Sequence, residues 1–323
     1  MIRLDAYEKR MEEEYWEVVN EKISVEKQNK IISSCKKFMP TDFFANIGTK
    51  AFKELVLAPY EKLRYLQEYI KENQWDVMEK ECIKIKKRKD KKGNERETKT
   101  VIGVYKLLYE SFEKVVNSEK NGVSMRVRLV RSQGITVCPY CNRDYINCRA
   151  DNISGAQLDH FYSRSEYPIF SICLYNLVPS CGNCNRVKSR KTDLLASPFD
   201  YTVDWEKDII FSYKRITSTG VKVVIGPPEK IKYTRAGNNI RTMRIEEAYQ
   251  IHGIEVEELL EKKDMYSKTQ RKELMEVMQK ADISDKEIKE VIFGPPIEQD
   301  SLKKKPLSKM MRDLYRELEI YKD

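Results

Sequence analysis

Nowhere does the chain approach the roughly 18 uninterrupted apolar residues that a membrane-spanning helix needs, so it is not expected to cross a membrane. From Met1 to Lys30 it is crowded with Glu and Lys and has no apolar signal core, which sets aside secretion and points to the cytoplasm. No internal repeat or low-complexity tract is visible. Histidine is scarce: His160 and His252 are the only two in 323 residues.

What is present is a polar, globular composition. Hydrophobic residues make up 41% and charged residues 34%, in a length that allows two or three domains and a sizeable core. Lys and Arg number 60 against 51 Asp and Glu, a net charge of +9. That surplus permits an anionic partner without requiring one.

Cysteine is more informative. Six of the eight lie between Cys138 and Cys184, while Cys35 and Cys82 stand alone in segments that read as helix. A secreted disulfide scaffold would be shorter and more evenly stapled; clustered cysteines in a reducing compartment usually bind metal. Cys138-Pro139-Tyr140-Cys141 and Cys181-Gly182-Asn183-Cys184 are two CxxC knuckles separated by residues 142–180. Each sets two thiolates on one tight turn, and together they make the closed tetrahedral set of a structural zinc. Such a site is a staple with no open position for substrate. Cys148 and Cys173, between the knuckles, read as small buried thiols, with exchange into the zinc site as the alternative.

The expected fold is α+β and mainly helical, with a zinc-stapled core between helical flanks. Residues 1–130 form the first helical region. Tyr7, Met11, Tyr15, Val18 and Val19 make an amphipathic stripe, continued by Phe52, Leu55, Leu57, Leu63, Leu66 and Ile70, and a further helix is expected over Val104–Val116. Within this region, 83–100 carries Lys84, Lys86, Lys87, Arg88, Lys89, Lys91 and Lys92 around a turn at Asp90–Asn94. It reads as a hairpin that is either a solvated loop or a phosphate-contacting arm. Residues 131–200 hold the cysteine cluster. Residues 201–323 begin with strands over Asp208–Lys214 and Val221–Ile225 and return to helix from about Thr242. Ser284 with Glu287 has capping-box spacing, and Gly294-Pro295-Pro296 stops that helix. A last helix starts near Pro306.

Between and after the knuckles come Leu158-Asp159-His160, Tyr175-Asn176-Leu177-Val178-Pro179-Ser180 and Asn185-Arg186-Val187-Lys188. With the two knuckles, this order resembles the HNH endonuclease family, whose ββα-metal site is wrapped around a zinc held by two CxxC pairs. The third signature letter is usually His; here it is Asn185, as in the HNN variants. The resemblance implies that His160 is the general base, that Asp159 binds a divalent metal with Asn185, and that Asn176 orders the loop holding the base. The helical flanks make the chain similar to HNH effector nucleases of bacterial anti-phage systems, of the Septu or retron-associated type. That similarity implies a defence effector acting beside an ATPase, while the flanks read equally as dimer interfaces, ATPase docking surfaces or DNA clamps.

The chemistry of these residues points the same way. Phosphodiester hydrolysis needs an activated water and a cation to stabilise the leaving oxygen. Asp159 and the Asn185 carbonyl are hard oxygen donors suited to Mg²⁺ or Mn²⁺, and an ordinary histidine titrates close enough to neutrality to take a proton from water. Neighbours on a strand point to opposite faces, so Asp159 and His160 are expected at a bent or irregular strand end. Lys188, with Arg186, Arg190 and Lys191, is expected to contact the phosphates of double-stranded DNA; Arg143 and Arg164 are weaker candidates. Tyr162, Tyr167 and His252 read as structural, His252 having no carboxylate spacing around it. The competing functions are a zinc-stapled nucleic-acid-binding module or adaptor without cleavage, and a nuclease acting on RNA.

Overall fold

The computed structural model describes residues 1–89, 95–191, 194–217, 220–226, 229, 234–278 and 284–321. Helices dominate, and among the described residues the strands pair only as two-stranded sheets. Among the described residues, no helix is long and apolar enough to cross a membrane.

The N-terminal part is helical: α1 (Lys9–Lys22), α2 (Val25–Cys35), α3 (Gly48–Val56), α4 (Tyr60–Tyr69) and α5 (Trp75–Cys82), the last two joined by a π-helical turn. In α1 the stripe expected from spacing is the buried face, with Met11, Tyr15, Val18 and Val19 inside. Next come β1 (Ile83–Lys89) and β2 (Glu95–Val101), an antiparallel ribbon in which Ile83 faces Val101. The expected turn at Asp90–Asn94 lies outside the described residues. α6 (Gly103–Val116) buries Leu108 and Phe112. A two-residue pair, β3 (Glu119–Lys120) and β4 (Val123–Ser124), leads into α7 (Met125–Ser132), whose cap Ser124 accepts from the Val127 amide.

The middle of the chain is built on β5 (Gln157–His160), antiparallel to β6 (Leu177–Ser180), followed by α8 (Gly182–Lys188). Beyond it are α9 (Trp205–Asp208), the hairpin β7 (Phe211–Arg215) and β8 (Val221–Ile225), then α10 (Arg235–Thr242), α11 (Ile245–Tyr249) and α12 (Gly253–Met265). Here two expected boundaries are wrong. Asp204 caps a helical turn over Trp205–Asp208 by accepting from the Glu206 and Lys207 amides, so the strand starts only at Phe211. Likewise Thr234 caps a helix that starts at Arg235, before Thr242. The chain ends with α13 (Lys268–Met278), α14 (Asp285–Phe293), α15 (Gln299–Leu302) and α16 (Ser308–Glu317). The Ser284–Glu287 capping box is formed, and Gly294, at φ 85, terminates α14.

Among the described residues, one cluster of buried apolar side chains extends from Met1 through the middle segment to Ile320. It fixes the N-terminal helices and the C-terminal region against β5, β6 and α8.

Candidate functional site

The two knuckles meet. The sulfur atoms of Cys138, Cys141, Cys181 and Cys184 all lie within 4.8 Å of one another, and all four residues are buried. Thiolates about 2.3 Å from a central zinc fall well inside that limit. The second knuckle is tied to the first by the Cys181 amide, which donates to Cys138 Sγ at 3.3 Å. Hydrogen bonds from its three neighbours hold the Cys141 thiol well below its usual range, while burial pushes Cys138 up and the neighbouring thiols push up Cys184. The cluster can hold a metal ion such as zinc, whose charge would favour all four thiolates. Cys148 and Cys173 stand outside it.

The first knuckle is also a structural hub. The Pro139 carbonyl accepts from the Ile2 amide at 2.9 Å, and the Cys141 carbonyl from Tyr249 Oη at 2.6 Å. Asn142, left-handed at φ 53, caps the last helix by accepting from the Lys309 amide at 2.8 Å. Arg143 belongs to this hub: its guanidinium donates to the Ala248 carbonyl at 2.6 Å.

β5 ends at His160, but it is a regular strand and its alternation is kept, not the bent or irregular end that was expected. Asp159 turns to Tyr140, whose hydroxyl donates to Oδ2 at 2.7 Å, and to Lys188. His160 turns the other way, onto the Phe112 ring at 4.4 Å. Its Nε2 lies 2.9 Å from the Ser171 carbonyl. A carbonyl only accepts, so Nε2 carries the proton and Nδ1 is left with a lone pair. Desolvation by burial lowers the His160 pKa to about 3, helped by the charges of Arg164, Lys188 and Arg126, so the ring is neutral near pH 7.

Asn176 is fully buried and holds the 161–176 loop. Its Oδ1 accepts from the Tyr162 amide at 2.7 Å, and its Nδ2 donates to the Tyr162 and Phe170 carbonyls, each at 3.0 Å. That loop carries Ser171, the residue that orients His160. Tyr162 and Tyr167 are packing residues: Tyr162 stacks on Tyr60, and Tyr167 meets Trp75 edge-on.

An open cleft of about 400 Å³ is lined by Asp159, His160, Asn185, Gln157, Arg126 and Arg164, among others. It continues past Asn185 to Arg186 along a second open groove. Arg126 is 3.1 Å from Glu113, and Arg164 lies over the Tyr109 and Phe112 rings at 4.2 and 5.0 Å. Asn185 donates from Nδ2 to Gln157 Oε1 at 2.7 Å, which leaves its carbonyl oxygen as an acceptor.

Lys188 departs from expectation. It is buried, not on a solvated face: Nζ lies 3.0 Å from Asp159 Oδ2 and donates to the His160 carbonyl at 3.1 Å. It closes an internal ion pair and does not reach out to phosphates. Arg186, Arg190 and Lys191 are exposed, with Arg186 lining the groove. His252 does have a carboxylate beside it, three residues on: Nδ1 is 2.9 Å from Glu255 Oε1.

Sequence reading missed Phe112 and Arg126. They reach His160 from helices far back in the chain, and no local motif announces them.

No family model, curated protein or solved structure matches this chain.

Proposed function

We propose that the chain is an HNH-type endonuclease that hydrolyses phosphodiester bonds of double-stranded DNA. The observation that carries this reading is His160, with one ring nitrogen engaged by Ser171 and the other left as a base. It lies in a cleft with Asp159, Asn185 and two arginines. In this reading Nδ1 takes the proton of the attacking water, and Arg126 and Arg164 grip the phosphate. The negative phosphate also offsets the cations that depress the basicity of His160.

Asp159 and Asn185 both line this cleft, and a carboxylate and a side-chain carbonyl are the kinds of donor a hard divalent ion takes. Bound there, Mg²⁺ or Mn²⁺ would stabilise charge on the leaving 3′ oxygen. Asp159 would then share its carboxylate between that ion and Lys188. A structural zinc in the four-cysteine cluster would hold the two knuckles under β5, β6 and α8. The defence role and the ATPase partner rest on the sequence resemblance alone.

One observation favours a second reading, a zinc-stapled binding or adaptor module without cleavage: Asp159 already has a cation in Lys188. Supercoiled plasmid incubated with Mg²⁺, Mn²⁺ or EDTA separates the two. Nicking that needs the divalent ion and disappears in His160→Ala supports the nuclease; intact plasmid in every condition supports the binding module.

A further inference from the structure

The ribbon β1–β2 has two unlike faces. Residues alternate in side along each strand, and directly paired residues share a side. On one side lie Ile83, Ile85 and Lys87 opposite Val101, Lys99 and Glu97. This side is partly packed and its charges are paired, although Ile85 is 39% exposed. Ile83 is buried, Lys99 Nζ is 2.9 Å from Glu79 and 5.9 Å from the Trp75 ring centroid, and Lys87 is 3.7 Å from Glu97.

The other side carries Lys84 opposite Thr100 and Lys86 opposite Thr98, and all four residues are exposed. Among the described residues, neither lysine has an acidic partner. The backbone register next sets Arg88 opposite Arg96. A merely solvated face would be expected to mix signs, as the opposite face does. This one offers cations and hydroxyls with no carboxylate.

We infer that the Lys84–Lys86 face is a second contact for the nucleic-acid backbone, a grip on the same duplex DNA that enters the His160 cleft. The inference deepens the nuclease reading and takes its substrate from it. Two residues of strand rise separate the lysines by about 6.7 Å, so both can meet a duplex in which each strand carries a phosphate for every 3.4 Å or so of helix axis. The ribbon is also coupled to the cleft. β2 runs directly into α6, and nine residues of helix, about 13 Å, lead from Gly103 to Phe112, whose ring touches His160.

The test is binding, measured apart from cleavage. Fluorescence anisotropy of a labelled 30-base-pair duplex is followed at several salt concentrations, using the full chain carrying His160→Ala, with and without K84Q/K86Q. Loss of two phosphate contacts should make the slope of log K against log[salt] shallower by about 1.8 and weaken binding severalfold at low salt. Both sites are exposed, so far-UV circular dichroism should be unchanged. An unchanged slope overturns the inference and leaves the face to another partner, such as an acidic protein. Plasmid cleavage by the chain with His160 intact, run in parallel, separates the two ideas. A shifted slope without cleavage keeps the ribbon contact and sinks the nuclease reading; cleavage with an unshifted slope does the reverse.

Discussion

Lys188 Nζ lies 3.0 Å from Asp159 Oδ2, with 0% of the lysine side chain and 3% of the aspartate side chain exposed. The same ammonium donates to the carbonyl of His160. One buried cation thus ties α8 to the end of β5 at the residue proposed as the base. Removing one partner of such a pair leaves an uncompensated charge, which typically costs about 3–5 kcal/mol. Lys188→Met should therefore lower the urea midpoint sharply, and adding Asp159→Asn should recover most of the loss. A double variant as unstable as Lys188→Met alone would mean that the lysine acts through packing on Phe161, whose ring centroid lies 5.4 Å from Nζ.

The metal cluster should matter well beyond its own sulfurs. Its first knuckle receives Ile2, Tyr249 and the start of α16 through backbone and side-chain hydrogen bonds. We expect about one zinc per chain by elemental analysis, and loss of it in Cys138→Ser. Chelation should remove hydrogen-exchange protection from Ile245–Tyr249 and Ser308–Glu317 before it affects the distant α2 and α3. Protection lost evenly along the chain would show that the hub has no privileged dependants.

Much of this site is written locally. CxxC turns, the Asp159–His160 strand end and the Asn176 loop follow from short spacings, because the backbone geometry that makes them spans few residues. Lys188 was misread because a helical lysine beside basic neighbours looks solvated; only the tertiary approach of Asp159 shows that its ammonium turns inward. Arg143 likewise looks available until the Ala248 carbonyl, over a hundred residues away, is found against it. The misplaced boundaries at Phe211 and Arg235 did have local signals. Asp204 and Thr234 are good N-caps, and their side chains form the capping bonds.

Burial gives the N-terminal helices an alkaline weakness. Cys35 is buried, and desolvation pushes its thiol up to about 12; Cys82 and Cys173 are pushed up for the same reason. The folded state therefore holds these protons more tightly than the unfolded chain, where a thiol titrates near pH 8.5. The stability they lend is fully present below roughly pH 8.5 and declines as pH rises toward the folded value. At pH 9.5 each such thiol should cost about 1.4 kcal/mol relative to neutral pH. Urea unfolding at pH 7.5 and 9.5 should show a pH-dependent loss smaller by about that amount in Cys35→Ala than in the natural sequence. Equal losses would mean that Cys35 is not a source of the slope.

The cleft arginines and the histidine should fail in different ways. Arg126 and Arg164 line the cleft from its Phe112 side and are placed to meet a phosphate that is negative both before and during reaction. A contact made equally in ground and transition states affects KM more than kcat. Arg126→Gln should thus raise the DNA concentration needed for half-maximal cleavage severalfold while leaving more of kcat than any change at the base. His160→Ala removes the proton acceptor itself and should reduce kcat by about 10²–10⁴-fold, with DNA affinity nearly unchanged. Arg164 should fall between the two, because its guanidinium also lies over the Phe112 ring that touches His160. Single-turnover cleavage across a range of DNA concentrations separates these terms. If Arg126→Gln lowers kcat as far as His160→Ala and leaves KM alone, the arginine acts only on the transition state, and the ground-state grip assigned to it is wrong.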